Sequence, residues 1–162
     1  MLKPKIKDAL TKQLNFEFES AYVYLGMAAY CQAINLDGFA HWFQLQTKEE
    51  VEHGMKIWEY LSDHGSAVSL SSLPEPKTNY ASIKEVLEVT LAHEQQVTAS
   101  IQNIYKLAVE EQDFTTQSFL NWFLEEQVEE EATATKILEQ VGMVGPQGHG
   151  IFFLDRELGR RE

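Results

Sequence analysis

Apolar residues recur at every third or fourth position through most of the chain, which is the period of an amphipathic helix. The pattern predicts four long helices, over residues 6–34, 39–64, 82–109 and 115–142 to within a few positions. No segment has the alternation of apolar and polar residues that marks a half-buried strand. The sequence therefore predicts an all-α fold.

The connections between these helices predict how the helices are arranged. Residues 35–38 and 110–114 are short breaks, whereas residues 66–81 form a Ser- and Pro-rich connection without helical period. A helix of about 26 residues is about 39 Å long, and about 16 extended residues reach roughly 53 Å. The long connection can return along the whole bundle, so we expect the second and third helices to run parallel.

A short amphipathic segment follows the fourth helix. Four glycines and a proline before it predict a hinge: Gly142, Gly145, Pro146, Gly148 and Gly150. Residues 151–158, IFFLDREL, then predict a short fifth helix, which must dock on another surface because it is too short to be stable alone. We interpret residues 1–162 as one domain, with a four-helix bundle over residues 6–142 and a C-terminal helix over residues 151–158.

Charge and composition limit the class of protein. The net charge of −12 and the pI near 4.8 argue against nucleic acid or an anionic membrane surface as partner. The single cysteine, Cys31, cannot form an intrachain disulfide and favours a reducing compartment. The N-terminus lacks the apolar run of a signal peptide, and no apolar window is long enough to cross a bilayer. We expect a cytoplasmic protein, and a plastid protein without its transit peptide would look the same.

Polar residues interrupt the apolar face of every long helix. They are Glu17, Glu50, His53, Glu94, Gln127 and Glu130. Four of the six lie within about three residues of a helix midpoint, or roughly 5 Å of rise, so the bundle brings them to one level. One such glutamate would more often reach for water, and a lone histidine is more often a hydrogen-bonded core residue. Matched depth on four helices is difficult to explain in that way.

These six side chains include no lysine or arginine, so any compensating positive charge must come from outside the set. Burying an unpaired carboxylate costs several kcal/mol, roughly, whereas whole domains are stable by about 5–15 kcal/mol. Two divalent cations would balance the four glutamates charge for charge. Oxygen ligands with one imidazole suit iron or manganese better than calcium, and the lack of thiolates argues against structural zinc. The pattern predicts a dinuclear site with metals about 3.5–4 Å apart.

The chain resembles the bacterial-type non-haem ferritins in several respects at once. The resemblance rests on EEVEHG (49–54), the pair Gln127-x-x-Glu130, the long crossover and the short fifth segment, and it covers essentially the whole chain. It implies a ferritin-like four-helix bundle with one long crossover and a short fifth helix. It also implies two iron positions, with Glu50 bridging: Glu17, Glu50 and His53 for the first, and Glu94, Gln127 and Glu130 for the second.

The activity that this resemblance implies is that of a ferroxidase. Fe²⁺ would be oxidised by dioxygen or hydrogen peroxide and then stored as ferric mineral in a homo-oligomeric cage of twenty-four subunits. Bacterioferritins would have a second Glu-x-x-His where this chain has Gln127-x-x-Glu130, so we expect a looser second position that releases its product. They also bind haem through a methionine that aligns with Val51, so we expect no haem here.

Further roles follow only from the resemblance. In similar ferritins the positions of Glu49, Glu126 and Glu129, together with Glu130, form a third iron site that faces the cavity. A solvated acidic face is the alternative interpretation of these residues.

Three other residues have weaker functional interpretations. Tyr24 lies on the same face as Glu17 and can donate an electron to the metals, or simply pack in the core. Trp122 as a second reductant and Asp113 as a pore residue are more remote hypotheses.

Two other classes of function remain open at the sequence level. A peroxide-consuming dimetal enzyme, such as a dimanganese catalase or a rubrerythrin-like protein, could use the same bundle. Rubrerythrins normally add a cysteine-rich iron domain, which one cysteine cannot form. A bundle that only binds a protein partner would contain no metal, and iron would leave its melting temperature unchanged.

Overall fold

The structure is a computed structural model that describes residues 1–145 and 148–162. In this part of the chain it contains five helices and no strand. They are α1 (Pro4–Ala33), α2 (Asp37–Asp63), α3 (Ile83–Glu110), α4 (Phe114–Val144) and α5 (His149–Leu158). The predicted all-α fold is confirmed. None of the described helices is both long enough and apolar enough to cross a membrane.

The predicted hinge is shorter than the glycine pattern suggested. Gly142 lies inside α4 and Gly150 inside α5, whereas Pro146 lies outside the described residues. Gly145 and Gly148 have φ values of 75° and 97°, in the region that only glycine adopts without strain. These two glycines lie at the end of α4 and at the start of α5, where the backbone leaves and enters the helical conformation.

Helix ends are set by side chains that satisfy free backbone groups. Ser82 caps α3, since its hydroxyl accepts a hydrogen bond from the Glu85 N–H at 3.1 Å. Asp113 caps α4 in the same way and accepts from the Thr116 N–H at 3.0 Å. The capping role explains Asp113 without any role in a pore.

Contacts with α1 establish the helix directions. Along α2, Phe43 stacks on Tyr24 with ring centroids 6.0 Å apart, while Gly54 lies against Phe18. Helix α2 therefore runs antiparallel to α1. On α3, Glu94 contacts Tyr24 and Ser100 contacts Gln13, which is again antiparallel to α1. Helices α2 and α3 are consequently parallel, as the long connection predicted.

The long connection runs along the outside of α1. The Asn15 side chain donates to the Ser69 carbonyl at 2.9 Å and accepts from the Ser71 N–H at 2.7 Å. Further along, the Lys77 carbonyl lies so close to Gly26 that a Cβ there would be 2.7 Å from it. The connection thus follows α1 for about 16 Å, at 1.5 Å per residue.

The bundle core consists of two apolar clusters. One contains Met27, Phe39 and Phe43 near the C-terminal end of α1, and the other contains Leu10, Ile57 and Phe123. The six polar side chains predicted from the sequence lie at the level between these clusters. The apolar ends therefore hold four helices around a polar middle layer.

Helix α5 docks against the start of α2. The Asp155 carboxylate accepts a hydrogen bond from the Phe39 N–H at 2.9 Å and so satisfies a free donor at that helix end. The Asp155 carbonyl lies over Gly38, where an added Cβ would come within 1.6 Å of it. Only glycine at this position allows α5 to approach so closely.

The substitution Gly38→Ala tests this docking. A Cβ that overlaps backbone must displace α5, and such overpacking costs about 1–3 kcal/mol. In a chain of this size we expect the melting temperature to fall by about 2–12 °C, as measured by calorimetry. Gly142→Ala is the matched control, because among the described residues no atom outside the adjoining backbone lies within 4 Å of its added Cβ. Equal losses in both variants would contradict the docking argument.

Candidate metal centre

The six polar side chains predicted to meet in the core are all buried. Relative exposures are Glu17 0%, Glu50 1%, His53 5%, Glu94 1%, Gln127 3% and Glu130 8%. Within the described residues, the only salt-bridge contact that involves any of them joins Glu50 to His53. The four carboxylates therefore share one interior layer without a lysine or arginine partner.

Glu17, Glu50 and His53 form what we call the first metal position. Each offers one ligand atom, and the three atoms all lie within 4.8 Å of one another. Glu50 and His53 share a face because they are three residues apart on α2, with Glu50 Oε2 3.4 Å from His53 Nδ1. Glu17 on α1 faces this pair.

Unsatisfied oxygens make the first metal position a candidate cation site. Glu17 Oε2 and both carboxylate oxygens of Glu50 are buried and have no hydrogen-bond partner in the part of the chain that the structure describes. Buried polar groups nearly always have partners, so each such atom calls for an explanation. Three free oxygens beside an imidazole fit the ligand set of a divalent iron or manganese ion.

Glu94, Gln127 and Glu130 are the predicted ligands of what we call the second metal position. Among the described residues only Glu17, Glu50 and His53 meet as a metal-ligand cluster, and the carboxylates of Glu94 and Glu130 already have neutral donors. The Gln127 amide donates to Glu94 Oε2 at 3.1 Å, and the Tyr24 hydroxyl donates to the other oxygen of Glu94. The Gln46 amide donates to Glu130 Oε2 at 2.8 Å. A metal ion at this position would have to compete with some of these hydrogen bonds.

Burial and mutual repulsion oppose ionisation of the acids. Burial first, and the charge of Glu50 second, raise the pKa of Glu17 well above its usual value. The pKa of Glu50 is raised by burial and then by Glu94. Burial, followed by Glu94 and Glu49, raises the pKa of Glu130 to about 7. A bound divalent cation would reverse this preference and stabilise the ionised forms.

Two glutamines that support the carboxylates had no assigned role at the sequence level. Gln13 donates to Glu17 Oε1 at 2.9 Å from one turn earlier on α1, and Gln46 supports Glu130 from α2. Both are buried, with 1% exposure. The sequence pattern that could have identified them is a glutamine on the apolar face of a helix, four positions before a core glutamate.

Tyr24 contacts the second position rather than Glu17. Its ring is fully buried, stacks on Phe43 and lies edge-on to His93 with centroids 5.7 Å apart. Burial first, and then the charge of Glu94, raise the pKa of its hydroxyl well above the usual value. The phenol therefore stays protonated and donates to Glu94.

Of the residues proposed for a third site, Glu49 and Glu126 line one cavity of about 450 Å³ together with His53. Glu129 is exposed and is not among the residues that line this cavity. Glu49 Oε1 accepts from the Arg161 guanidinium at 2.6 Å. The third iron site stays a prediction.

Trp122 also lines the cavity, and its ring lies edge-on to His53 with centroids 5.4 Å apart. Val51 lies elsewhere, in an apolar groove with Phe18 and Leu25. The valine side chain has no atom that could bind haem iron, which is the reason for expecting no haem. The expected lack of haem also stays a prediction.

Comparisons with known proteins agree over the full chain. The Ferritin family, described as the ferritin-like domain, matches residues 7–144. A bacterial non-heme ferritin of Staphylococcus saprophyticus is 41% identical over 161 residues, which cover 99% of this chain and 96% of the relative. The bacterial non-heme ferritin of Staphylococcus haemolyticus is 40% identical, and the match covers 99% of this chain and 97% of the relative. An open-pore ferritin structure from the hyperthermophilic archaeon Archaeoglobus fulgidus matches with a TM-score of 0.98 at 39% identity and covers 100% of both chains.

The raised pKa of Glu130 predicts how the metal-free protein responds to pH. Between about pH 4.5 and pH 7 the unfolded chain loses a proton that folded Glu130 retains, so the free energy of unfolding falls as pH rises. The carboxyl accounts for a loss on the order of 3 kcal/mol. Glu130→Gln should make the decline shallower in denaturant unfolding with a chelator present.

Glu129→Gln, at an exposed neighbouring position, is the control and should keep the wild-type slope. An unchanged slope in Glu130→Gln would contradict the prediction.

Proposed function

The chain belongs to the ferritin-like domain family, and from this premise we propose that it is a ferroxidase that oxidises Fe²⁺ in the bundle core and stores the ferric product. The observation that carries the proposal is the group of unpartnered oxygens on Glu17 and Glu50 beside His53. Its relatives of similar length are non-heme ferritins. Iron is the substrate and the cargo of this site.

The chemistry of the site favours oxidation over simple binding. Four carboxylates that have no lysine or arginine partner among the described residues would stabilise Fe³⁺ more than Fe²⁺, because the attraction grows with the charge of the ion. Two Fe²⁺ ions give up one electron each, and dioxygen accepts both electrons with two protons to become hydrogen peroxide. With hydrogen peroxide as oxidant, the same two electrons and two protons yield water.

Tyr24 is the proposed source of a further electron when dioxygen is reduced completely, since dioxygen takes four electrons and four protons to become water and the ring would supply one of these electrons beside the Fe²⁺ ions. The hydroxyl contact with Glu94 connects the ring directly to a ligand of the second position. Glu94 would also accept the phenolic proton when the ring is oxidised, so that no extra positive charge is left in the core. Packing against Phe43 is the alternative role of the ring.

The two metal positions differ in a way that supports transfer of product. Free oxygens at the first position can bind a cation without losing hydrogen bonds, whereas the second must give up bonds from Gln46, Tyr24 or Gln127. Glu130 is also the most exposed of the six residues, at 8%. We propose that the ferric product leaves from the second position, towards Glu49 and Glu126.

Storage requires assembly into a cage, and the surface is consistent with self-association. An apolar groove on α1, α2 and the long connection is lined by Phe18, Leu25, Val51 and Leu73. Such a groove is suited to packing against a second copy. We propose a homo-oligomeric cage, dioxygen or peroxide as oxidant, and a cytoplasmic location, which fits the buried free thiol of Cys31.

Removing a ligand of the first position should abolish fast oxidation. Glu50→Ala deletes the proposed bridging carboxylate. We expect the fast phase of Fe²⁺ oxidation to slow by at least about tenfold, because the loss of even an indirect partner of a metal ligand lowers metal affinity or activity by about 10–100-fold. Stopped-flow absorbance of the ferric product measures this rate. Asp63→Ala, at an exposed position on the same helix and away from the cavity beside His53, should oxidise iron normally. A fast phase that survives Glu50→Ala would overturn the proposal.

The looser second position is tested by crystallography. In crystals soaked aerobically in ferrous iron, we expect lower occupancy at the second position than at the first. Gln127→Glu replaces a weak neutral ligand by a charged one and should raise the second occupancy towards the first. Both positions permanently full in the unsubstituted protein would contradict this prediction.

A further inference from the structure

Arg161, beyond the end of α5, contacts α2 beside the metal centre. Its guanidinium donates to Gln46 Oε1 and, through the second terminal nitrogen, to Glu49 Oε1 at 2.6 Å. Its backbone carbonyl accepts from the His41 imidazole at 2.8 Å, and the guanidinium carbon lies 5.8 Å from the centre of the Trp42 ring. Contacts with four residues of one helix hold this tail residue in place.

Gln46 lies between Arg161 and a proposed metal ligand. It is buried, with 1% exposure, and its amide nitrogen donates to Glu130 Oε2 at 2.8 Å. An amide group can turn by half a revolution and exchange its oxygen and nitrogen at little steric cost. In the turned state the Gln46 oxygen would face the Glu130 carboxylate, and the two acceptors would repel each other.

A guanidinium group removes this ambiguity. Arginine has five N–H donors and no acceptor, and it stays charged at any physiological pH. The oxygen of Gln46 must therefore face Arg161, and its nitrogen must face Glu130. On the opposite side of the centre, the amide oxygen of Gln13 accepts a hydrogen bond from the hydroxyl of Ser100. Because a hydroxyl can donate or accept, Ser100 constrains the orientation of that amide less than Arg161 constrains Gln46.

We propose that Arg161 is a positioning residue of the second metal position: through the amide of Gln46 it fixes the orientation of Glu130. The inference rests on the proposed function, since it concerns a ligand of the same site. It means that docking of the C-terminal tail and metal binding in the bundle core are coupled. The intervening Gln46 also keeps the positive charge of Arg161 away from the carboxylate that a metal ion needs.

Anaerobic titration with Co²⁺ tests this role without oxidation chemistry. Co²⁺ accepts the same imidazole and carboxylate ligands, and its visible absorption reports each binding step of the assembled protein. Loss of a direct partner of a metal ligand weakens binding by about 10–100-fold. Because Arg161 acts one contact further out, we expect Arg161→Gln to weaken the second step by about fivefold and leave the first unchanged.

Three further variants make the result specific. Arg160→Gln removes the same charge at the adjacent position, where the side chain pairs only with Glu157 among the described residues, and should bind Co²⁺ normally. Arg161→Lys keeps a pure donor and should recover most of the second step. In a Gln46→Leu background, Arg161→Gln should have no further effect, provided that calorimetry finds the protein folded.

Each outcome separates this inference from the proposed function. The positioning role would be overturned if Arg161→Gln weakened both Co²⁺ binding steps equally, or if Arg160→Gln weakened the second step as much as Arg161→Gln does. It would also be overturned if Arg161→Gln kept its full effect in the Gln46→Leu background. So would an unchanged second step in Arg161→Gln. Fewer than two Co²⁺ ions per subunit in the unsubstituted protein would instead count against the dinuclear centre itself.

Discussion

Mutual repulsion among four buried carboxylates is the constraint on which the structure depends. Glu17, Glu50, Glu94 and Glu130 occupy one layer of the core, where none is paired with a lysine or arginine in the described chain. Ionising such groups without compensation costs several kcal/mol each, roughly, which is large beside the total stability of a domain. Two apolar clusters, one on each side of the layer, supply the stability that the layer itself lacks. The instability of the middle is also the driving force for binding cations there.

Differences in hydrogen bonding divide this layer into two unlike halves. Around Glu17 and Glu50 several oxygens have no partner, so a cation gains contacts and displaces nothing. Neutral donors already satisfy both oxygens of Glu94 and one oxygen of Glu130. A cation gains less there, because it must replace bonds that exist. This difference supports the proposal that the first half holds iron and the second passes it on, although both are built from similar residue types.

The sequence was informative where geometry depends on the helix alone. An α-helix rises by about 1.5 Å per residue, so the depth of Glu17, Glu50 and Glu94 could be read directly from the helix bounds, and the long connection predicted the parallel pair. Contacts between distant parts of the chain were not predictable in this way. The contact between Arg161 and Gln46 joins residues that are 115 positions apart, and it depends on how α5 docks over Gly38. The capping role of Asp113 was missed because its position was considered for a pore and not as a helix start.

The glutamines explain how the protein can support its acids without neutralising them. Gln13, Gln46 and Gln127 each donate to a core carboxylate, and an amide has no charge and does not titrate. A lysine or arginine in direct contact would satisfy the carboxylates permanently, and no metal would then be required. Amides orient the ligands and leave the negative charge available. Arg161 follows the same logic, because its charge reaches Glu130 only through a neutral amide. The guanidinium can therefore orient Glu130 without neutralising its carboxylate. A centre that binds and releases cations requires this separation, because the negative charge must stay available to the metal ion.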